Sequence, residues 1–131
     1  MNTLSNPGAV HKPAGPYHHT VLVSENARWL AISGQVGMDR AGNIASGVRA
    51  QSEQVFRNIA ACLDANGMRK EDLIKVTVYL TDARFLAEYR AARSAVFGDD
   101  IQPASTLLIV AGLASPDFLV EVEAWAAKSE R

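Results

Sequence analysis

The chain has 131 residues, 48% of them hydrophobic and 21% charged, and carries a net charge of −1. That length suits a single domain, residues 1–131, with a core of its own, and the near-neutral balance without a basic run leaves no electrostatic footprint for nucleic acid. No apolar run reaches the roughly 20 residues of a membrane span, the N-terminus has no apolar signal core, so a cytoplasmic location is expected, and the single cysteine, Cys62, allows no intrachain disulfide.

Met1 to Pro16 hold three prolines and two glycines and read as a loosely structured arm. Gly15-Pro16-Tyr17 forms a turn that gives way to extended chain at His18-His19. Strands are expected over Thr20 to Ser24 and Trp29 to Ser33, joined by a turn at Glu25 to Arg28. Gly34, Gly37 and Gly42 punctuate the loop that follows, with a turn at Asp39 to Asn43 and a short strand after it. Val48 to Asn66 predicts a helix with Val55, Phe56, Ile59, Ala60, Cys62 and Leu63 along its apolar side and Gly67 at the C′ position. Cys62 on that stripe is a small core residue rather than a nucleophile. Ile74 to Leu80 alternates, with Ile74, Val76, Val78 and Leu80 on one face and Lys75, Thr77 and Tyr79 on the other. A second helix is predicted over Ala83 to Phe97, capped by Thr81 or Asp82 and stopped by Gly98.

The stretch from Gln102 to Ala127 predicts a β-hairpin, with Leu107 to Val110 in one strand, Leu119 to Ala126 in the other, and turn signals at Gly112 and Ser115-Pro116-Asp117 between them. Val120, Val122, Ala124 and Ala126 share one face of the second strand, and Glu121, Glu123 and Trp125 share the other. Two carboxylates beside a tryptophan on such a strand are either solvated residues of an outward face or the acid of a site. The order of elements implies an α+β fold, a mixed sheet with two helices packed on one face. Its opposite face carries residues such as Tyr79 and Trp125, so a homo-oligomer is expected to cover it.

Gly15-Pro16-Tyr17, Ile32-Ser33-Gly34-Gln35, Lys75 to Leu80, Pro103-Ala104 and Val120 to Ala124 together resemble the Rid family of reactive intermediate deaminases, the YjgF-type family also labelled L-PSP endoribonuclease. The resemblance covers nearly the whole chain. It implies a chorismate-mutase-like homotrimer with a small-molecule pocket at each subunit interface, and hydrolysis of enamines or imines to a carbonyl product and ammonia. Carried over by position, Glu121 corresponds to the acidic residue that positions or activates water, and Tyr17 and Ser33 to pocket residues. Where active deaminases of the family have the arginine that holds the substrate carboxylate, this chain has Ser105. Leu107 replaces a frequent cysteine, so the chain resembles a divergent subgroup.

Imine hydrolysis needs a proton on nitrogen, a water at carbon and departure of ammonia, and requires no metal, cofactor or covalent nucleophile. A carboxylic acid in a dry pocket can move these protons, since burial raises the pKa of a carboxyl group. Tyr17 offers an apolar wall with a polar tip, or packing for the arm. Ser33 offers a hydroxyl, or a turn residue before Gly34. Without the clamp, affinity for an anion falls by at least about tenfold, because a hydrogen bond to a charged group is worth about 1.5–3 kcal/mol. A neutral ligand is the simpler inference from Ser105, with Arg90 and Arg93 as surface residues or members of structural ion pairs, or else as replacements for the clamp. Two alternatives to a deaminase stay open: a non-catalytic ligand-binding or regulatory trimer, and a ribonuclease, against which the charge balance argues. His11, His18 and His19 make a poor metal signature, the glycines match no phosphate loop, and no Ser-His-Asp arrangement is legible.

Overall fold

The computed structural model describes residues 1–130. Ten residues or fewer make each strand: β1 (Thr3–Ser5), β2 (Thr20–Leu22), β3 (Ala27–Val36), β4 (Leu73–Leu80), β5 (Ala104–Ile109) and β6 (Val120–Ser129). Two helices, α1 (Val48–Ala65) and α2 (Leu86–Phe97), separate them. The main sheet runs in the order β3-β6-β4-β5. β6 is antiparallel to both β3 and β4, whereas β5 is parallel to β4.

That order corrects the predicted hairpin. β5 and β6 are not neighbours; β4 lies between them. Ile74, Val76, Val78 and Leu80 of β4 are all buried, so this strand belongs in the interior of the sheet with a partner on each side. The β4–α2–β5 crossover carries the chain back to the same end, which makes the β4·β5 pair parallel. The predicted alternation of β6 holds: Val120, Val122, Ala124 and Ala126 are buried on the helix side, and Glu121, Glu123 and Trp125 point the other way.

The N-terminal arm is also more ordered than its prolines suggest. β1 pairs with β2 in a separate two-stranded sheet, so β2 does not form a hairpin with β3. Asn2 ties this pair to the main sheet, donating to the Ala127 carbonyl at 2.9 Å and accepting from the Ser24 N–H at 3.0 Å. The strand expected after the Asp39 turn reduces to an isolated bridge between Met38 and Ile44.

Both helices pack on one face. Val55, Phe56, Ile59 and Leu63 of α1 are buried against the sheet, and Cys62 is half-buried beside them. Each large side chain so buried contributes about 1.5–3 kcal/mol. The Phe56 ring lies 5.7 Å from Tyr89 and 5.1 Å from Phe97, which locks α1 to α2. The chain leaves α1 through Gly67 at φ 68°, with Met68 N–H bonded to Leu63 O and Gly67 N–H to Asp64 O. This is a Schellman stop, and Met68 and Leu63 both enter the core. The first turn of the second helix, Ala83–Phe85, is 3₁₀, and Asp82 caps it by accepting from the Arg84 N–H.

Gln51 shows how a loop is held to this frame. It is buried on α1, donates to the carbonyls of Ala45 and Asp117, and accepts from the Leu119 N–H. The Asp39-to-Ala45 loop and the approach to β6 are thus clipped to one side chain. The far face of the sheet stays uncovered. Trp29 and Trp125 stack edge to face there with ring centres 6.3 Å apart, 58% and 44% exposed, and Leu108 is 45% exposed.

Candidate functional site

Glu121 stands on the helix-free face of β6, opposite Val36 of β3 and Tyr79 of β4. β3 carries a bulge at this height: Ser33 and Gly34 occupy the interval between the Ile32–Ala124 and Gln35–Val122 pairs, which Glu123 alone fills on β6. The bulge brings the backbone of Gly34 beneath the Glu121 carboxylate. A Cβ at Gly34 would lie 1.9 Å from Glu121 Oε2, so only glycine leaves the carboxylate where it is.

Glu121 forms no hydrogen bond or ion pair with any other group among the described residues. Its neighbour Glu123 is occupied, accepting from the Tyr79 hydroxyl at 2.5 Å. That hydrogen bond is the main cause of a raised Tyr79 pKa, followed by burial and by the charges of Glu123 and Glu121. Gly34, Tyr79, Glu121, Glu123, Val110 and Leu113 together line an open groove of about 280 Å³. One carboxylate is therefore braced by a phenol and the other is free to meet a ligand.

A second hollow lies on the opposite side of the sheet. Ser105 pairs with Val76, whose side chain is buried under the helices, so Ser105 faces α2 and not Glu121. With Tyr17, Tyr89, Arg90, Arg93 and Thr106 it lines a cavity of about 360 Å³ at the β5 edge. The Gly15-Pro16-Tyr17 turn forms the outer wall. His18 anchors that turn through its backbone N–H, 3.2 Å from the Gln102 carbonyl, with its ring Nδ1 2.6 Å from the same oxygen. The Tyr17 hydroxyl oxygen accepts from the Ala14 N–H at 3.2 Å, which keeps its proton available to the cavity.

The predicted site residues thus divide into two sets within one chain. Tyr17 and Ser105 share the α2-side cavity, Glu121 occupies the sheet-face groove, and Ser33 adjoins that groove through Gly34 without lining it. Arg90 and Arg93 were expected at the surface, in ion pairs, or as replacements for the clamp, and Arg90 is exposed. Arg93 is instead buried and donates to the Ile101 carbonyl, and neither Arg90 nor Arg93 has an acidic partner within 4.0 Å among the described residues. Gly34, Tyr79 and Glu123 were not singled out as site residues, although Glu123 shares the strand face of Glu121 and Gly34 sits in a quoted motif. Among the described residues no group of three or more His, Cys, Asp or Glu is placed to hold a metal ion, and no helix is long and apolar enough to cross a membrane.

A family model described as endoribonuclease L-PSP matches residues 8–128. The chain belongs to this family, which is the Rid/YjgF family. A RutC family protein of Pyrococcus horikoshii is 38% identical over 89% of this chain and 90% of its own length. A Salmonella typhimurium protein named 2-iminobutanoate/2-iminopropanoate deaminase is 32% identical over 87% of this chain and 88% of its own. The crystal structure of a Rid-family protein of unknown function from Yersinia pestis superposes with a TM-score of 0.83 at 29% identity, covering 97% of this chain and 98% of that one. The mixed sheet with two helices on one face is therefore the fold of this Rid protein's relatives, and some of those relatives are named imine deaminases.

Proposed function

We propose that this Rid protein hydrolyses imines or enamines to a carbonyl compound and ammonia, in a pocket completed where two chains of a homotrimer meet. The observation that carries the reading is the Glu121 carboxylate, unpartnered and held over Gly34 on an uncovered sheet face. An open groove on one face and an open cavity at the β5 edge are each half of a site. A second chain docked on the sheet face would cover the exposed Trp29 and Trp125 and bring its own edge cavity against Glu121. The relatives named deaminases support the reaction class.

In that pocket Glu121 takes a proton from a water molecule as the water oxygen bonds to the imine carbon. Glu121 passes that proton to nitrogen, giving a tetrahedral adduct with one hydroxyl and one amino group; it then takes the hydroxyl proton and delivers it to the amino nitrogen, so that the C–N bond breaks, ammonia leaves and the carbonyl forms. Water and the imine thus balance against the carbonyl product and ammonia. The Tyr79 hydroxyl, bonded to Glu123, keeps the second carboxylate from competing for the same proton. Tyr17 supplies a flat wall and a hydroxyl donor from the other half.

The test is ammonia release from 2-iminobutanoate generated in situ by an amino-acid oxidase. Glu121→Gln should lower kcat/KM by about 100-fold or more at unchanged folding, the usual scale for a lost acid–base group. Full activity in that variant would refute the role. Ser105 in place of a clamp arginine favours a second reading, a trimer that binds such ligands without turning them over. Binding of the 2-oxo acid with no ammonia release from any imine would establish it.

A further inference from the structure

The cavity beside Ser105 has an unusual charge. Arg90 and Arg93 both line it, and no carboxylate lies within 4.0 Å of either guanidinium among the described residues. The six ion pairs among the described residues use Arg28, Arg49, Arg57, Arg69, Lys70 and Arg84. Arg90 and Arg93 stand apart from all of them.

Arg93 is only 7% exposed, so its charge has left bulk water without a counter-ion. One nitrogen donates to the Ile101 carbonyl, which fixes the guanidinium between α2 and the start of β5. Its remaining N–H groups have no partner among the described residues, yet Ser52 holds the only sealed side-chain polar atom without a partner there. Those N–H groups therefore keep contact with solvent, and Arg93 is one of the residues that line the cavity. Arg90, one turn earlier, is exposed, and Gly15 positions it: a Cβ at Gly15 would lie 2.7 Å from its Nη2. Burial raises the pKa of Tyr89, and the positive charges of Arg93 and Arg90 oppose that rise in favour of its phenolate. A buried cation usually has a counter-charge, because a charge taken out of water without one loses its hydration with nothing to replace it. Here the missing partner has a place to sit, bounded by Tyr17 and Ser105, each of which carries a hydroxyl.

We infer that Arg90 and Arg93 form the anion site of this Rid protein, so that the ligand is a carboxylate held from α2 rather than from β5. Ser105 then contributes a hydroxyl to the same carboxylate instead of the charge. Arg90, at the open side, provides the reach, and Arg93, fixed by Ile101, provides a stationary charge at the cavity floor. The inference names the substrate class of the proposed site and rests on that proposal for the reaction, but the binding step is measured apart from it.

Calorimetric titration with 2-oxobutanoate and with its neutral methyl ester tests the assignment. The intact protein should bind the anion at least about tenfold more tightly than the ester, the scale of one charge-assisted hydrogen bond. Arg90→Met should remove most of that preference by weakening the anion and leaving the ester unchanged, whereas Arg90→Lys should keep part of it. Arg93→Lys reads the second charge without emptying the buried position, and thermal unfolding of each variant shows that it is folded. A folded Arg90→Met protein with an unchanged preference, or an intact protein that binds ester and anion equally, overturns the inference. Anion binding that survives in Glu121→Gln while ammonia release is lost supports both site assignments. Arginine-dependent anion binding with no turnover by the intact protein defeats the deaminase reading and leaves this one standing.

Discussion

Gly34→Ala separates the position of the Glu121 carboxylate from the stability of the fold. A Cβ built on Gly34 meets Glu121 Oε2 at 1.9 Å, Cδ at 2.8 Å and Cγ at 3.0 Å, against an ordinary contact of 3.4 Å. The carboxylate must then retreat by roughly 1.5 Å, and a displacement of about 1 Å in a catalytic group costs on the order of 100-fold. That factor corresponds to about 2.7 kcal/mol of barrier. Gly34 lies outside the left-handed region, so alanine adds no backbone strain, and the atoms it strikes belong to the end of a flexible side chain. Stability should therefore stay within about 0.5 kcal/mol of the parent protein. Ammonia release from 2-iminobutanoate measures kcat/KM, and thermal unfolding supplies the folding control. A folded variant with parental kcat/KM would show that the reaction does not depend on the carboxylate standing over this bulge.

Gln51→Leu should destabilise the protein by roughly 1–3 kcal/mol, because the Leu119 N–H and the Ala45 and Asp117 carbonyls lose their shared partner; a lower urea midpoint at an unchanged m-value checks it. Asp82 has a pKa of about 2 against an ordinary 3.8, chiefly through the side-chain hydrogen bond from Arg84 and then the Arg84 backbone N–H. Because the folded value is the lower one, its stabilisation is present above about pH 4 and is lost as the pH falls towards 2. Asp82→Ala should accordingly unfold at a lower temperature than the parent at pH 7, and the gap should close between pH 4 and pH 2; a gap independent of pH would exclude the carboxylate as its source. Trp125, 44% exposed on the uncovered face, is predicted to lie at the subunit interface. If the proposed trimer forms through this face, Trp125→Glu should shift the protein from trimer to monomer in light scattering, and an unchanged trimer mass would place the interface elsewhere.

The elements were legible because each has a local cause. The α1 stripe is set by 3.6-residue spacing and ended by Gly67, and α2 is opened by Asp82 and closed by Gly98. The alternation of β4 and β6 showed which side chains go inward, Glu121 and Glu123 excluded. Periodicity does not state which strand lies beside which, and so the apparent β5–β6 hairpin misled. Prolines in the arm likewise concealed β1, whose pairing with β2 depends on a strand that follows it by fifteen residues or more.

Side-chain type and spacing along the chain were enough for an α+β domain, for the inward faces of its strands, and for a family resemblance built on short motifs. The strand pattern drew attention to Glu121 beside Glu123, and the family resemblance, position by position, to Glu121, Tyr17, Ser33 and Ser105. Only the folded chain determined that Glu121 and Ser105 face opposite sides of one sheet, that a bulge slides Gly34 under the carboxylate, and that Arg90 and Arg93 line one cavity with Ser105 with no acidic partner among the described residues. The physical reason is that a local pattern records whether a side chain faces the core, whereas a site is made by residues distant in sequence whose separation is set by register, crossover and packing.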